Sequence, residues 1–229
     1  MVTRLRRVVL GVDLGKRQTP ATIIALQSKS KAPVWDPVRL IWDQGPGRSE
    51  VAGKGRGGVM ASKYSPHQVR FAGEYLVVNW IEAIPLGTSY DGVARRIWEI
   101  AEESGASEVW MDGTGVGVAV EEMVRQRKPA GLKCLLRAVT ITSGQTVSQT
   151  SVPRRELMTR LAVEWQEGRV KVATGLSRWP DLRKELLGLD GQGRKKNQRD
   201  DLALGLALAV WGLTGVGAPA GDRADGRLV

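Results

Sequence analysis

The chain has 229 residues, with 34 Lys+Arg against 24 Asp+Glu, a formal charge of +10, a sequence pI near 10.1, one Cys and one His. This length suits one domain with a substantial core. Cys134 alone excludes a disulfide framework or a Cys-rich zinc site, and His67 alone excludes a His-rich one. Any chemistry must therefore rest on carboxylates, hydroxyls or lysines, and the basic excess points to a polyanionic partner, nucleic acid before membrane.

In chain order, Arg7 to Asp13 (RVVLGVD) is a β-branched apolar run ending on an acid, as a buried strand does at a sheet rim. Its basic start superficially resembles a signal peptide, but Asp13 interrupts the apolar stretch and no small-residue cleavage pattern follows. Ala21 to Gln27 and Val34 to Trp42 are further strands separated by a SKSKAP turn, so the chain opens as a meander. Residues 44–65, rich in Gly and basic residues, read as a long loop, and Tyr75 to Ile84 returns to strand.

From Ser89 the period changes. Tyr90, Val93, Ala94, Ile97, Ile100 and Ala101 share one helical face; Glu108 to Asp112 is a strand ending on an acid; Val116, Val120, Met123 and Val124 mark a helix; Lys133 to Thr140 is a strand. Pro153, at a first helical position, opens a helix carrying Leu157, Leu161 and Trp165, and Leu182, Leu186 and Leu189 mark the next. The last helix, from about Asp200 to Leu213, is apolar on nearly all sides and reads as buried. Its run Leu202 to Leu213 falls short of the roughly 20 residues that span a bilayer. The Gly-rich tail 214–229 is expected to be disordered, leaving residues 1–213 as the folded domain. This order describes a mixed α/β sheet, an antiparallel meander followed by parallel strands, flanked by helices on both faces.

The acids sit at the ends of elements. Asp13 and Asp112 end strands; Asp200 and Asp201 open the terminal helix. If the two strands are parallel neighbours, both acids emerge at one carboxyl edge, where ligands collect in open α/β sheets. Converging carboxylates repel one another unless a cation sits among them, and Mg²⁺ takes such oxygen ligands with phosphate and water. Two ions about 4 Å apart promote in-line phosphodiester displacement. The alternative for each acid is a turn residue or a helix cap.

Basic residues form three runs. The first holds Arg48, Lys54, Arg56, Lys63 and Arg70. The second, from Met123 to Arg160, holds Arg125, Arg127, Lys128, Lys133, Arg137, Arg154, Arg155 and Arg160 with one acid, Glu156. The third holds Arg194, Lys195, Lys196 and Arg199. They are expected to grip a phosphate backbone, with Arg48, Lys54, Arg56, Lys63, Arg154, Arg155, Arg194, Lys195, Lys196 and Arg199 as the DNA-binding set. No element looks like a base-reading helix, so sequence preference is expected to be weak. Of the eight Trp, Trp80, Trp98, Trp110, Trp165 and Trp211 read as core, while Trp35, Trp42 and Trp179 could stack on bases. Gly113, Gly115 and Gly117 fit a tight acid-bearing turn, because Val118 stands where a dinucleotide fingerprint needs its third Gly.

The segments GVDLG, ATIIAL, PLGTSYDGVARRI, VWMDGTGVGVAVEEMV, VTITSG, VPRRELMTRLAVEWQEGRVKV and RDDLALGLALAVWG resemble, in order, the nuclease domain of phage terminase large subunits, within the RNase H-like superfamily. The resemblance runs from about Val8 to Trp211 and is most specific in DGTGVG and DDLALGLALA. It implies an RNase H-like endonuclease for double-stranded DNA, dependent on two Mg²⁺ or Mn²⁺ ions. The implied catalytic and metal-binding acids are Asp13, Asp112 and Asp201, with Asp200 as the alternative ligand. Asp201 is preferred for its spacing to Leu204 and Ala207.

The resemblance also implies viral genome packaging in the host cytoplasm, with a separate ATPase domain or subunit, small terminase and portal as partners, and no membrane; in isolation the chain is expected to be a monomer. Two departures stand out. Arg199 occupies a position where many members carry His, and no GxxxxGK[ST] exists, since Arg48 and Gly55 replace the first Gly and the Ser/Thr around Lys54. The chain is therefore expected not to hydrolyse ATP and reads as a separated nuclease domain, a split-gene subunit or a trimmed chain. Three alternatives stay open: a Holliday-junction resolvase of the same superfamily, a DNA-binding motor module with vestigial nuclease activity, and an actin-like ATPase suggested by LGVDLG.

Overall fold

The computed structural model describes residues 7–15, 19–30, 74–114, 117–148, 150–188 and 200–214. Strands β1 (Val8–Asp13), β2 (Thr22–Ser30) and β3 (Glu74–Ala83) are followed by α1 (Tyr90–Ser104), β4 (Glu108–Asp112), α2 (Gly117–Gln126), β5 (Leu135–Thr142), β6 (Ser151–Pro153), α3 (Arg154–Gln166), β7 (Val170–Val172), α4 (Trp179–Leu187) and α5 (Asp201–Thr214). The strands form one sheet in the order β6-β5-β4-β1-β2-β3-β7. β1–β2 and β2–β3 pair antiparallel, while β1–β4, β4–β5, β5–β6 and β3–β7 are parallel. The third strand of the meander is Glu74–Ala83, because β2 spends its two edges on β1 and β3; the expected strand at 34–42 lies outside the described residues.

β1 occupies the centre of the sheet, and all six of its residues are buried, which explains its uninterrupted apolar sequence. Strand periodicity sorts its side chains between two cores. Val8, Leu10 and Val12 pack with Val93, Ile97 and Trp98 of α1 and Val120 and Val124 of α2. Val9 belongs to the opposite core, with Leu157 and Leu161 of α3, Leu182 of α4 and the length of α5. The same parity in β4 sends Val109 and Met111 to the α1/α2 side and Trp110 to the α5 side. Asp13 and Asp112, two residues beyond Gly11 and Trp110, therefore fall on the face that α5 covers.

Helix α5 is buried continuously from Leu202 to Gly212, as its all-round apolar sequence implies. Each fully buried Leu contributes about 2 kcal/mol of hydrophobic stabilisation. Glycines set how closely α5 lies on the sheet: a Cβ on Gly212 would come within 2.5 Å of the Trp110 ring. At the start of α1, Ser89 accepts the Gly92 N–H at 3.2 Å, and Gly105, with φ +66°, closes its end.

Several expectations shift. Pro153 is not the first helical residue: with φ −60° and ψ 132° it is extended, pairs with Thr142 in β6 and caps α3, which begins at Arg154. β6 and β7, at three residues each, escaped the periodicity reading. The expected strand at 133–140 runs instead from Leu135 to Thr142, where Cys134 ends a non-strand approach. Leu189 and the tail from 215 lie outside the described residues. No described helix is long and apolar enough to cross a membrane.

Candidate active site

The parallel pairing of β1 and β4 runs to Val12 opposite Met111, so Asp13 and Asp112, the next residue of each strand, emerge side by side at one edge. Each carboxylate is held by the backbone just beyond its strand. Asp13 Oδ1 accepts the Gly15 N–H at 2.9 Å, and Asp112 Oδ1 accepts the Thr114 N–H at 2.7 Å. Gly15 is in the left-handed region at φ +64°, and a Cβ there would lie 2.4 Å from the Thr19 carbonyl oxygen, so the first turn requires glycine. The second turn is tied to the sheet by a side chain: Thr114 Oγ1 accepts the Ile141 N–H at 2.6 Å, linking the end of β4 to β5.

Helix α5 brings two more acids. The Asp200 carbonyl accepts the Leu204 N–H at 2.8 Å, the first helical bond, and Asp201 begins the helix. Thr22 Oγ1, from β2, donates to the Asp201 carbonyl at 2.9 Å. Glu185 of α4 accepts the Ala203 N–H at 2.9 Å, satisfying a donor that the first turn leaves open. Arg154, the first residue of α3, forms an ion pair with the Asp200 carboxylate. Asp13, Asp112, Asp200, Asp201, Arg154, Thr19 and Thr114 line one cleft of about 250 Å³.

Asp13 is 8% exposed. Burial pushes its carboxyl up from 3.8 to about 7, against the opposing Gly15 hydrogen bond, and the charges of Asp112, Asp201 and Asp200, in that order, push the same way. Its ionisation near neutral pH is thus held back first by burial and then by the neighbouring carboxylates. Among the described residues no three carboxylate, His or Cys side chains close on a single point as a ready cage. The donors fit a hard divalent ion of the Mg²⁺ type nonetheless, because such an ion takes one or two carboxylates and completes its shell with water and phosphate.

Arg154, expected in the DNA-binding set, enters the cleft beside the acids. Arg155 is exposed. Arg48, Lys54, Arg56, Lys63, Arg194, Lys195, Lys196 and Arg199 lie outside the described residues. Much of the second basic run is internally paired: Arg125 with Glu121 at 2.6 Å, Arg127 with Asp91 at 2.5 Å, and Arg137 with Glu108 at 2.9 Å. Trp179 packs against Trp165 with ring centroids 6.2 Å apart, at the margin of the core, rather than standing clear as a stacking platform. Thr22 and Glu185 escaped notice in the sequence, since a strand Thr and a helix Glu carry no local signal of reaching another helix.

Comparison with solved structures places the fold. The large terminase nuclease of thermophilic phage G20c, with bound cobalt, superposes with a TM-score of 0.53 at 17% identity over 90% of this chain and 80% of that one. The chain has an RNase H-like fold. The same G20c nuclease with bound zinc gives a TM-score of 0.51. A mutant nuclease domain of the large terminase subunit of bacterial virus Sf6, with manganese, gives 0.53 at 14% identity over 89% of this chain and 88% of that one. At these identities the likeness is one of RNase H-like fold, the fold that the ordered segments GVDLG to RDDLALGLALAVWG imply. No protein-family model and no curated protein matches the sequence.

Proposed function

We propose that this chain is a divalent-metal-dependent endonuclease that cleaves double-stranded DNA with little sequence preference, as the cutting part of a viral genome-packaging motor. The observation that carries this reading is the placement of Asp13 and Asp112, on neighbouring parallel strands and on one face, beneath the N-terminus of α5 where Asp201 begins. The metal-bound nucleases of the same fold support it.

In this reading Asp13 and Asp112 hold the ions and Asp201 completes the second position. Mg²⁺ or Mn²⁺ bound there supplies the Lewis acidity that phosphodiester hydrolysis needs. The Gly15 and Thr114 N–H groups fix the two strand-end carboxylates, so neither has to reorient when substrate arrives. The Thr22 hydroxyl and the Glu185 carboxylate hold the start of α5, and so Asp201, over them. Arg155 and the basic residues of the other runs grip the phosphate backbone without reading bases. The ATPase, small terminase and portal of a packaging motor are the partners this role requires.

The test is digestion of supercoiled plasmid with Mg²⁺ or Mn²⁺. Wild type is expected to nick and linearise it without a preferred site, and Asp13→Ala to lose on the order of a hundredfold or more in rate, as removal of an essential electrostatic group does. Equal digestion by Asp13→Ala overturns the reading.

A further inference from the structure

The acidic cleft already contains a cation of its own. Arg154 stands at the first position of α3, where the helix dipole disfavours positive charge. Its backbone is set by Pro153, which is locked in β6 by pairing with Thr142. From there its guanidinium reaches across 46 residues of sequence to the Asp200 carboxylate, with the Arg and Asp side chains 34% and 22% exposed. Asp200 and Asp201, adjacent in sequence, thereby acquire different surroundings. Asp200 caps α5 through its carbonyl and spends its carboxylate on Arg154, whereas Asp201 lines the same cleft as the first residue of the helix.

We propose that Arg154 is a built-in counter-ion that holds Asp200 out of the ion-binding set, so that Asp201 is the acid α5 presents to metal. This rests on the metal reading of the cleft. Its consequences concern ion binding by the free protein and are separate from cleavage. A guanidinium close to the ion-binding carboxylates lowers the affinity of the cleft for a divalent cation, and pairing with Asp200 limits that repulsion. Removing the Arg alone strengthens ion binding; removing Asp200 alone leaves an uncompensated positive charge and weakens it. Removing both deletes a neutral pair.

Calorimetric titration of the full chain with Mn²⁺ alone, without DNA, tests this as a double-mutant cycle. Arg154→Gln is expected to bind Mn²⁺ more tightly, by on the order of tenfold, and Asp200→Asn more weakly by a comparable factor. Arg154→Gln/Asp200→Asn should return to within about twofold of wild type, as the cycle demands of a pair that acts only through its partner. Asp201→Asn should bind weakly whether or not Arg154 is present. Arg154→Lys, which keeps the charge, should remain near wild type, and thermal melts in chelator establish that each variant is folded.

If the double variant binds as weakly as Asp200→Asn, Asp200 is itself a ligand and the inference fails. If Arg154→Gln binds no more tightly than wild type, Arg154 does not oppose the ion and the inference fails equally. A wild-type chain that takes up no Mn²⁺ removes the metal reading and this inference with it, an outcome distinct from the other two.

Discussion

The carbonyl oxygen of Gly205 lies 1.9 Å from the point where a Cβ on Gly11 would stand. Helix α5 and strand β1 therefore touch backbone to backbone at the centre of the molecule, one strand repeat before Asp13 and one helical turn after Asp201. The two glycines are not equivalent, since a Cβ on Gly205 would meet the Gly11 carbonyl oxygen and Thr22 Oγ1 no closer than 3.4 Å. Gly11→Ala must push α5 outward, an overpacking cost of about 2–3 kcal/mol. Gly205→Ala meets only ordinary contacts and gains up to about 1 kcal/mol in helix propensity. Urea denaturation should therefore show a large loss for Gly11→Ala and little or no loss for Gly205→Ala; equal effects would contradict the close seat.

Asp13 makes stability depend on pH with a definite sign. Its folded-state pKa is raised from 3.8 to about 7. Between those values the unfolded chain has released this proton while the folded chain keeps it, so the Asp13 contribution to stability falls as pH rises and is fully lost above about 7. The full effect is on the order of 4 kcal/mol. In chelator, Asp13→Asn is expected to melt above wild type at pH 8, with the gap closing toward pH 4. Added Mn²⁺ should recover wild type at pH 8 and not Asp13→Asn. Parallel melting curves for the two proteins across this range would show that burial does not hold the proton on Asp13.

The sequence made the centre of this molecule legible and its margins less so. β1, β4, α1 and α5 announce themselves through long apolar runs with clear periods, and Asp13, Asp112 and Asp201 stand at their ends, where a change of period shows. Even the shared face was countable, since Gly11 and Asp13 lie two apart on β1, as Trp110 and Asp112 do on β4. β6 and β7 are too short for any period to register. The pairing of Arg154 with Asp200 and the reach of Glu185 to Ala203 depend on how separate elements dock, which no local pattern encodes. The Glu121–Arg125 pair, four residues apart on α2, was readable as a local ion pair on a helix face.

Thr114 carries its backbone N–H to Asp112 and its hydroxyl to Ile141, so one residue couples the end of β5 to a strand-end carboxylate. Thr114→Val keeps the shape and removes the hydroxyl acceptor from the Ile141 N–H, at about 1–2 kcal/mol. The expected result is a fall in kcat of plasmid cleavage with little change in KM for DNA, and a weaker dependence of melting temperature on Mn²⁺. Thr114→Ser, which restores the acceptor, should recover both. Failure of Ser to rescue, or an effect confined to KM, would show that Thr114 does not position Asp112.

Arg155 and Arg137 separate a phosphate contact from a structural charge. Arg155 is exposed on α3 beside the cleft residue Arg154, and no ion pair ties it among the described residues. Arg137 is held by Glu108 at 2.9 Å and lies over the Trp110 ring at 5.6 Å. Each phosphate contact releases bound counter-ions, so losing one lowers the slope of log K against log salt by about 0.9. Fluorescence anisotropy of a labelled duplex in chelator, which prevents cleavage, should give that reduction for Arg155→Ala across duplexes of unrelated sequence. Arg137→Ala should leave the slope unchanged and instead lower stability, because it strips a partly buried Glu108 of one partner. A slope unaffected by Arg155→Ala would remove α3 from the DNA-facing surface and leave the grip to the basic runs at 48–70 and 194–199.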